Sequence, residues 1–226
     1  MRKWKEIELS EKVNIVVTVF ILITLLIAIP FSLYERNWMA LFVTLVTLFL
    51  LFLSRFFAQR YEINLIAEFQ IVIIVFIYSG LFLGEVRGYY TRFWWWDSIL
   101  HAFSGVALGF AGFLLLYILY KTGKLRAGLK FIAFFSFCFA VALGALWEIF
   151  EFAVDSFFGA DMQKARGLGG DTRMGVMDTM WDIILNTTGA ATASVAGYFY
   201  LKKWDIPVIK RLVEKFEKKN PHLFKK

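Results

Sequence analysis

The segment Val13–Leu33, VNIVVTVFILITLLIAIPFSL, contains no charged side chain. A helix rises about 1.5 Å per residue, so a run of roughly 20 residues crosses about 30 Å of hydrocarbon. Trp38–Ala58 and Ile63–Gly84 are similar runs with almost no charge. The whole chain is 59% hydrophobic and contains 26 Phe among 226 residues, which is more apolar than a soluble domain. The sequence therefore predicts an integral membrane protein built from helices.

Three further apolar segments follow, so we predict an all-α, polytopic membrane protein formed by a bundle of six transmembrane helices. The predicted spans cover about residues 13–33, 38–58, 63–84, 97–120, 130–158 and 178–201. Residues 1–201 are interpreted as one membrane domain and residues 202–226 as a basic amphipathic tail. The first run is too long for the apolar part of a signal peptide and lacks a small-x-small cleavage pattern, so we expect it to be retained.

The basic residues predict how the chain is oriented. Nineteen Lys and Arg fall on the side that holds both termini, and six fall on the other. The positive-inside rule then places both termini in the cytoplasm of a multi-pass protein of the cell membrane. The tail has helically spaced Val208, Ile209 and Leu212 between basic residues. This pattern suits an anionic membrane surface, and a solvated, frayed tail is an equal alternative. We expect no nucleic-acid partner.

Ionisable residues recur at the predicted outer ends of spans four, five and six. Span four begins with GYYTRFWWWDSILHAF, residues 88–103, whose tryptophans are expected to fix its depth at the lipid–water interface. The three sets are Asp97 and His101, then Glu148, Glu151 and Asp155, and then Asp178, Asp182 and Asn186. A spacing of three or four puts each set on one helix face. Helix rise places His101, Glu148 and Asp182 at a common depth, roughly 26–28 Å from the inner boundary.

This pattern predicts a divalent metal site. An ionised side chain at this depth costs on the order of 2–3 kcal/mol, and grouped carboxylates must protonate, pair with a base or bind a cation. An oxygen-rich set with one imidazole suits Mg²⁺, Mn²⁺ or Ca²⁺, or Zn²⁺ or Fe²⁺ when the imidazole is a ligand. The predicted ligands are Asp97, His101, Glu148, Glu151, Asp178 and Asp182.

Single residues of the set have simpler explanations. Asp97 and Asp178 are each equally well explained as helix N-caps, and a lone buried histidine is more often a hydrogen-bonded core residue. Asn186 suits helix–helix packing. Glu148 and Glu151 have no capping explanation, because apolar residues follow them. We therefore predict that the set as a whole is a functional site.

The loop between spans five and six is glycine-rich and basic: GADMQKARGLGGDTRMG, residues 159–175, contains Lys164, Arg166 and Arg173. It is interpreted as a flexible cover that holds an anionic headgroup or a phosphate over the acidic cluster. A plain mobile loop is the default alternative. The run Gly167–Gly170 is not followed by Lys-Ser or Lys-Thr, so it is not a P-loop.

Four motifs carry a resemblance to known proteins. They are Asp97-x-x-x-His101, Trp147-Glu148-Ile-Phe-Glu151, Gly170-Asp171, and Asp178-Thr-Met-Trp181-Asp182 followed by Gly189-Ala190. Over roughly residues 94–192 the chain resembles the YjdF-type inner-membrane proteins. The segment from Asp182 to Gly189 is also similar to the end of the VanZ-like proteins, which have Gln where this chain has Glu151. VanZ-like proteins are associated with glycopeptide resistance of the cell envelope, so the resemblance implies an envelope or lipid role.

Three functions are compatible with these observations. The first is a metal-dependent hydrolase or transferase that acts on membrane lipid or a lipid-linked headgroup, with His101 or Glu151 as general acid or base. The second is a cation or proton transporter that uses the same carboxylates. The third is a structural protein whose helices are locked together by a metal ion. The enzyme ranks first because the cluster is predicted to lie just below the headgroups.

Overall fold

A computed structural model of the chain describes residues 7–159, 161–164 and 172–225. These residues form helices, turns and loops, and none of them lies in a strand. The α-helices are α1 (Leu9–Tyr34), α2 (Trp38–Arg60), α3 (Ala67–Ile77), α4 (Tyr89–Arg92), α5 (Trp96–Lys121), α6 (Leu129–Phe158), α7 (Thr172–Leu201) and α8 (Pro207–Lys219). A π-helix, Tyr78–Val86, continues α3, and a 3-10 turn, Pro221–Phe224, follows α8. The predicted all-α class is confirmed.

Five of the described helices are long and apolar enough to cross a membrane: α1, α2, α3 with its π-helical extension, α5 and α6. This confirms a multi-pass membrane protein. Helix α7 has 30 residues but is not among the five. Asp178, Asp182 and a stretch rich in Gly, Ala and Thr make it less apolar. The predicted count of six spans is therefore not confirmed by length and composition.

The chain divides into two compact units. The first runs to Trp96 and includes Lys215–Pro221. Its buried apolar cluster contains Ile21 and Leu25 of α1 and the stacked rings of Tyr78 and Phe82. The Tyr78 hydroxyl lies 3.0 Å from Thr24 Oγ1, which gives the buried phenol a hydrogen-bond partner.

Two of the three consecutive tryptophans Trp94–Trp96, where α5 begins, have different surroundings. The side chain of Trp94 is 86% exposed, as expected for a residue that faces lipid or headgroups. The indole Nε1 of Trp96 donates a 3.2 Å hydrogen bond to the carbonyl oxygen of Ser79 in the π-helix. Trp96 is therefore anchored to protein.

Lys215–Pro221 of the C-terminal tail belong to the first unit and make specific contacts within it. The Asn220 side chain accepts from the Asn64 backbone N–H at 2.7 Å and donates to the Asn64 carbonyl at 2.9 Å. Lys215 Nζ lies 2.8 Å from Glu68 Oε1 and 2.6 Å from Glu8 Oε1. Within α8, Ile209, Val213 and Phe216 are buried by protein, whereas Val208 is exposed. Most of the apolar face of α8, which the sequence analysis predicted to suit a membrane surface, is therefore covered by protein.

The second unit contains Asp97–Glu214 and His222–Lys226, and in it α5 and α7 approach closely through glycines. A Cβ atom added at Gly105 would lie 2.1 Å from the carbonyl oxygen of Asn186, and one added at Gly189 would lie 2.2 Å from that of Ala102. Small residues allow such backbone contact between membrane helices. Gly105 lies four residues after His101 and Gly189 seven residues after Asp182, so these contacts fix the ends of α5 and α7 that hold the site residues.

We predict that Gly105→Ala destabilises the protein, because the new methyl group has no space between α5 and α7. Overpacking of this kind costs about 1–3 kcal/mol, so the unfolding temperature in detergent should fall. Gly128→Ala is the matched control, since nothing lies within 4 Å of a Cβ at Gly128 and its φ of −71° suits alanine. Equal unfolding temperatures for both variants would contradict the close approach.

Candidate metal centre

The imidazole of His101 lies at the meeting point of three helices. Its Nε2 is 3.3 Å from Asp97 Oδ1 on α5 and 3.9 Å from Asp182 Oδ2 on α7. Its Nδ1 is 3.6 Å from Glu148 Oε1 on α6. All four side chains are buried. The structure therefore brings together residues that are as much as 85 positions apart in the sequence (97 to 182).

The helix boundaries argue against a capping role for the two aspartates. Helix α7 begins at Thr172, more than one turn before Asp178, so Asp178 is inside the helix and is not its N-cap. Helix α5 begins at Trp96, and Asp97 lies in its first turn with its carboxylate paired to His101 and Lys164. Both acids are thus used in side-chain pairing.

Lys164, from the loop after α6, belongs to the same cluster. Its Nζ contacts Asp97 Oδ2 and lies 2.9 Å from Asp178 Oδ1. Burial alone would lower the pKa of Lys164, but the charge of Asp97 and the hydrogen bonds to Asp97 and Asp178 outweigh it and raise the pKa. The lysine therefore remains charged at neutral pH. The sequence interpretation assigned it to a cover for anions, whereas here it neutralises carboxylates.

Asp155 shapes this loop. Its carboxylate accepts hydrogen bonds from the backbone N–H groups of Asp161, Met162 and Gln163 at 2.7, 2.6 and 2.9 Å. Gly159, with a φ of 66°, ends α6 in the left-handed conformation that glycine adopts readily. The described contacts of Asp155 are with the loop. Asp155 therefore stabilises the turn that positions Lys164 and makes no described contact with His101.

Glu151 and Asn186 lie beside the cluster. Trp147 Nε1 donates a 2.8 Å hydrogen bond to Glu151 Oε1, one helical turn away on α6. Asn186 donates to Ser104 Oγ at 3.0 Å, and its side chain fills the space above Gly144. Neither has a described ion pair with His101. Asn186 has the packing role that was its alternative interpretation.

Several carboxylate oxygens in the cluster have no hydrogen-bond partner within the described part of the chain. They are both oxygens of Glu148, Oδ2 of Asp178 and Oδ2 of Asp182. A buried acceptor left without a donor is costly. The cluster contains more carboxylates than described basic partners. The basic partners are Lys164 and His101, and the acids are Asp97, Glu148, Glu151, Asp178 and Asp182. Within the described residues, the carboxylate charge of the cluster is therefore only partly compensated.

One atom each of Asp97, His101 and Asp182 can be chosen so that all lie within 4.8 Å of one another. Around an octahedral ion with bonds of about 2.1 Å, neighbouring ligands are about 3 Å apart and opposite ligands about 4.2 Å. The triad is therefore close to the spacing that a divalent ion requires. Arg166, Gly167–Gly170 and Asp171 of the predicted cover lie outside the described residues, as does the side chain of Arg173.

A comparison with protein families supports the membrane assignment. The family described as "Predicted membrane protein (DUF2238)" matches residues 13–203, a segment that includes every residue of the cluster. No curated protein and no solved structure matches the chain. The YjdF-type and VanZ-like names are not confirmed by this match and remain a resemblance.

We predict that Asp155→Ala loosens the turn before Lys164, because three backbone N–H groups lose a charged acceptor. Hydrogen bonds to charged groups contribute about 1.5–3 kcal/mol each. Amide exchange at Met162 and Gln163 should therefore be at least about tenfold faster, as measured by hydrogen–deuterium exchange. Asp205→Ala, which removes an exposed carboxylate, serves as the control. Wild-type protection at both amides would rule out this role.

Proposed function

We propose, for a chain that belongs to the predicted membrane protein family DUF2238, that Asp97, His101 and Asp182 bind a divalent cation. One observation carries the proposal: buried acids from three helices converge on one imidazole, and the described part of the chain offers no hydrogen-bond donor to Asp182 Oδ2. A cation between these groups would supply the missing positive charge. It would also explain why such groups are kept in an otherwise apolar bundle.

The orientation of the imidazole suggests how the ligands divide. Nε2 faces both Asp97 and Asp182, so these three atoms form the proposed ligand set. Nδ1 faces Glu148, which is the usual place for a carboxylate that orients a metal-binding histidine. Glu148 is thus proposed to hold the ring. Three protein ligands leave coordination positions open, as catalytic metal sites do.

The donor set narrows the choice of ion. Ca²⁺ takes six to eight oxygen ligands in most protein sites, and Mg²⁺ usually keeps several waters and few protein ligands. An imidazole combined with two carboxylates suits Mn²⁺, Zn²⁺ or Fe²⁺ better. We propose Mn²⁺ or Zn²⁺ as the bound ion.

Helix packing supports α7 as a sixth membrane span. Gly105 and Gly109 of α5 touch Asn186 and Ala193 of α7, so α7 lies alongside a helix that qualifies as a span. An even number of spans, together with the excess of basic residues near both termini, supports the proposal that both termini are cytoplasmic. The cluster then lies near the outer membrane face.

This position favours an enzyme that acts on a lipid or lipid-linked headgroup of the cell envelope. A bound ion supplies Lewis-acid stabilisation of a phosphoryl or carbonyl oxygen. With His101 as a ligand, Glu151 is the proposed general base or acid, since it is buried and its oxygen is oriented by Trp147. Hydrolysis or group transfer is the reaction class that these groups fit.

We predict about one divalent ion per chain in protein purified in detergent without chelator, counted by elemental mass spectrometry. Asp182→Asn should abolish binding because it removes a ligand. Glu148→Gln should weaken Mn²⁺ or Zn²⁺ binding by about 10–100-fold, as other losses of a ligand-orienting group do. Asp205→Asn is the control, since its carboxylate is exposed and pairs only with Lys210 among the described contacts.

The same variants distinguish the competing functions. Loss of the ion together with loss of hydrolysis of lipid-linked substrates supports the enzyme. Loss of the ion with a large fall in unfolding temperature and no activity in either protein indicates a structural lock. A different outcome would favour transport: the wild type is metal-free and takes up protons in liposomes, whereas Asp182→Asn does not take them up. This result would overturn the proposed metal site.

We predict that a C-terminal green fluorescent protein fusion fluoresces and that a C-terminal alkaline phosphatase fusion is inactive, because both termini are placed in the cytoplasm. A phosphatase fused after Gln163 should be active, since the loop that carries Lys164 is proposed to face outward. The reverse pattern at both positions would invert the topology and place the cluster at the cytoplasmic face.

A further inference from the structure

We propose that Lys164 fills a second cation position of the cluster and so keeps the site to one metal ion. The position lies between Asp97 and Asp178, next to the ion proposed at Asp97, His101 and Asp182. This inference rests on the proposed function and adds a rule of occupancy: one divalent ion and one ammonium group share the carboxylates.

Asp97 connects the two positions. Its Oδ1 faces His101 Nε2 at 3.3 Å, while its Oδ2 contacts Lys164 Nζ. A carboxylate that faces a cation with each oxygen is the usual bridge of two-metal centres, whose ions are about 3.5–4 Å apart. The carboxylate-rich helical bundles that hold such centres place their acids on facing helices, as α5 and α7 do here. In this protein the ammonium group occupies the place of the second ion.

Asp178 completes the second position. Its Oδ1 lies 2.9 Å from Lys164 Nζ, while its Oδ2 is buried and has no hydrogen-bond partner within the described part of the chain. The neighbouring proposed ligand Asp182 is 3% exposed, and its Oδ2 has no hydrogen-bond donor among the described residues. One lysine therefore does not satisfy the acids around it. Without the lysine, Oδ1 of Asp178 and Oδ2 of Asp97 would face the same space with no cation between them.

The loop holds Lys164 in place. The residue has a φ of 49°, a left-handed conformation that is unfavourable for residues with a side chain. The preceding turn is fixed by three hydrogen bonds to Asp155, and Gln163 Nε2 donates to Thr179 Oγ1 at 2.8 Å. Anchors on both α6 and α7 thus direct one cation to the second position. A freely moving loop would not require them.

The experiment counts Mn²⁺ in protein equilibrated with excess Mn²⁺ and then desalted. We expect one ion in the wild type, two in Lys164→Met, one in Lys164→Arg, and one in Lys164→Met/Asp178→Asn. Methionine keeps the length and apolar stem of lysine but removes its charge, and arginine keeps the charge. Electron paramagnetic resonance of Lys164→Met should also show the exchange-coupled signal of two neighbouring Mn²⁺ ions, which the wild type should lack.

The outcomes separate this inference from the proposed function. One ion in both the wild type and Lys164→Met, without spin coupling, overturns the second position and leaves the first intact. No ion in the wild type but one in Lys164→Met that is lost with Asp178→Asn overturns the first site and supports the second. No ion in any protein overturns both.

A measurement on the wild-type chain is decisive if Lys164→Met does not fold. The proposal requires Lys164 to stay seated beside the bound ion, so acylation of its amine should be at least about tenfold slower than that of exposed Lys218, both with and without Mn²⁺. Mass spectrometry of peptides reports both rates. If Mn²⁺ raises the rate at Lys164 to that of Lys218, the ion has displaced the lysine and the inference is wrong.

Discussion

The burial of acidic side chains around one imidazole is the constraint on which the second unit depends. Asp97, Glu148, Glu151 and Asp182 are each at least nine-tenths buried, and charges in such surroundings are strongly disfavoured unless they are compensated. Part of the compensation is visible in Lys164 and His101. Among the described residues no further basic side chain compensates the remainder, and the proposed cation would do so. A bundle selected for stability alone would not need this set.

Close helix packing makes that constraint strict. The carboxylates would relieve their repulsion if α5 and α7 separated at one end, but Gly105 and Gly189 bring the two backbones into contact near that end. Asn186 adds a hydrogen bond to Ser104 and fills the space above Gly144 of α6. The acids are thus held at a spacing set by glycine contacts, which leaves charge compensation as the remaining way to lower the energy.

The sequence predicted what depends on local periodicity. Helix class and the apolar runs follow from composition, and the i, i+4 spacing of Asp97 and His101 correctly put both on one face. The contacts of Lys164 and Asp155 depend on the path of a loop, which hydrophobic periodicity does not encode. Glu68 and Lys215 show the same limit, since this pair is separated by 147 residues in the sequence. The sequence could therefore predict which residues of each helix share a face. It could not predict that Lys164 pairs with the acids or that Asp155 holds the loop.

The distribution of polar groups below the cluster favours a local site over a path through the membrane. Phe113 of α5 is fully buried and stacks with Tyr117. Thr188 and Thr192 of α7 direct their hydroxyls to carbonyls of their own helix, and so does Ser136 of α6. A conduit for ions or protons needs polar groups that face one another along its length. In the described part of α5, α6 and α7 the carboxylates and His101 instead gather at one end, and Lys121 and Lys130 lie at the other. That arrangement supports the proposed local site over the alternative of a transport path.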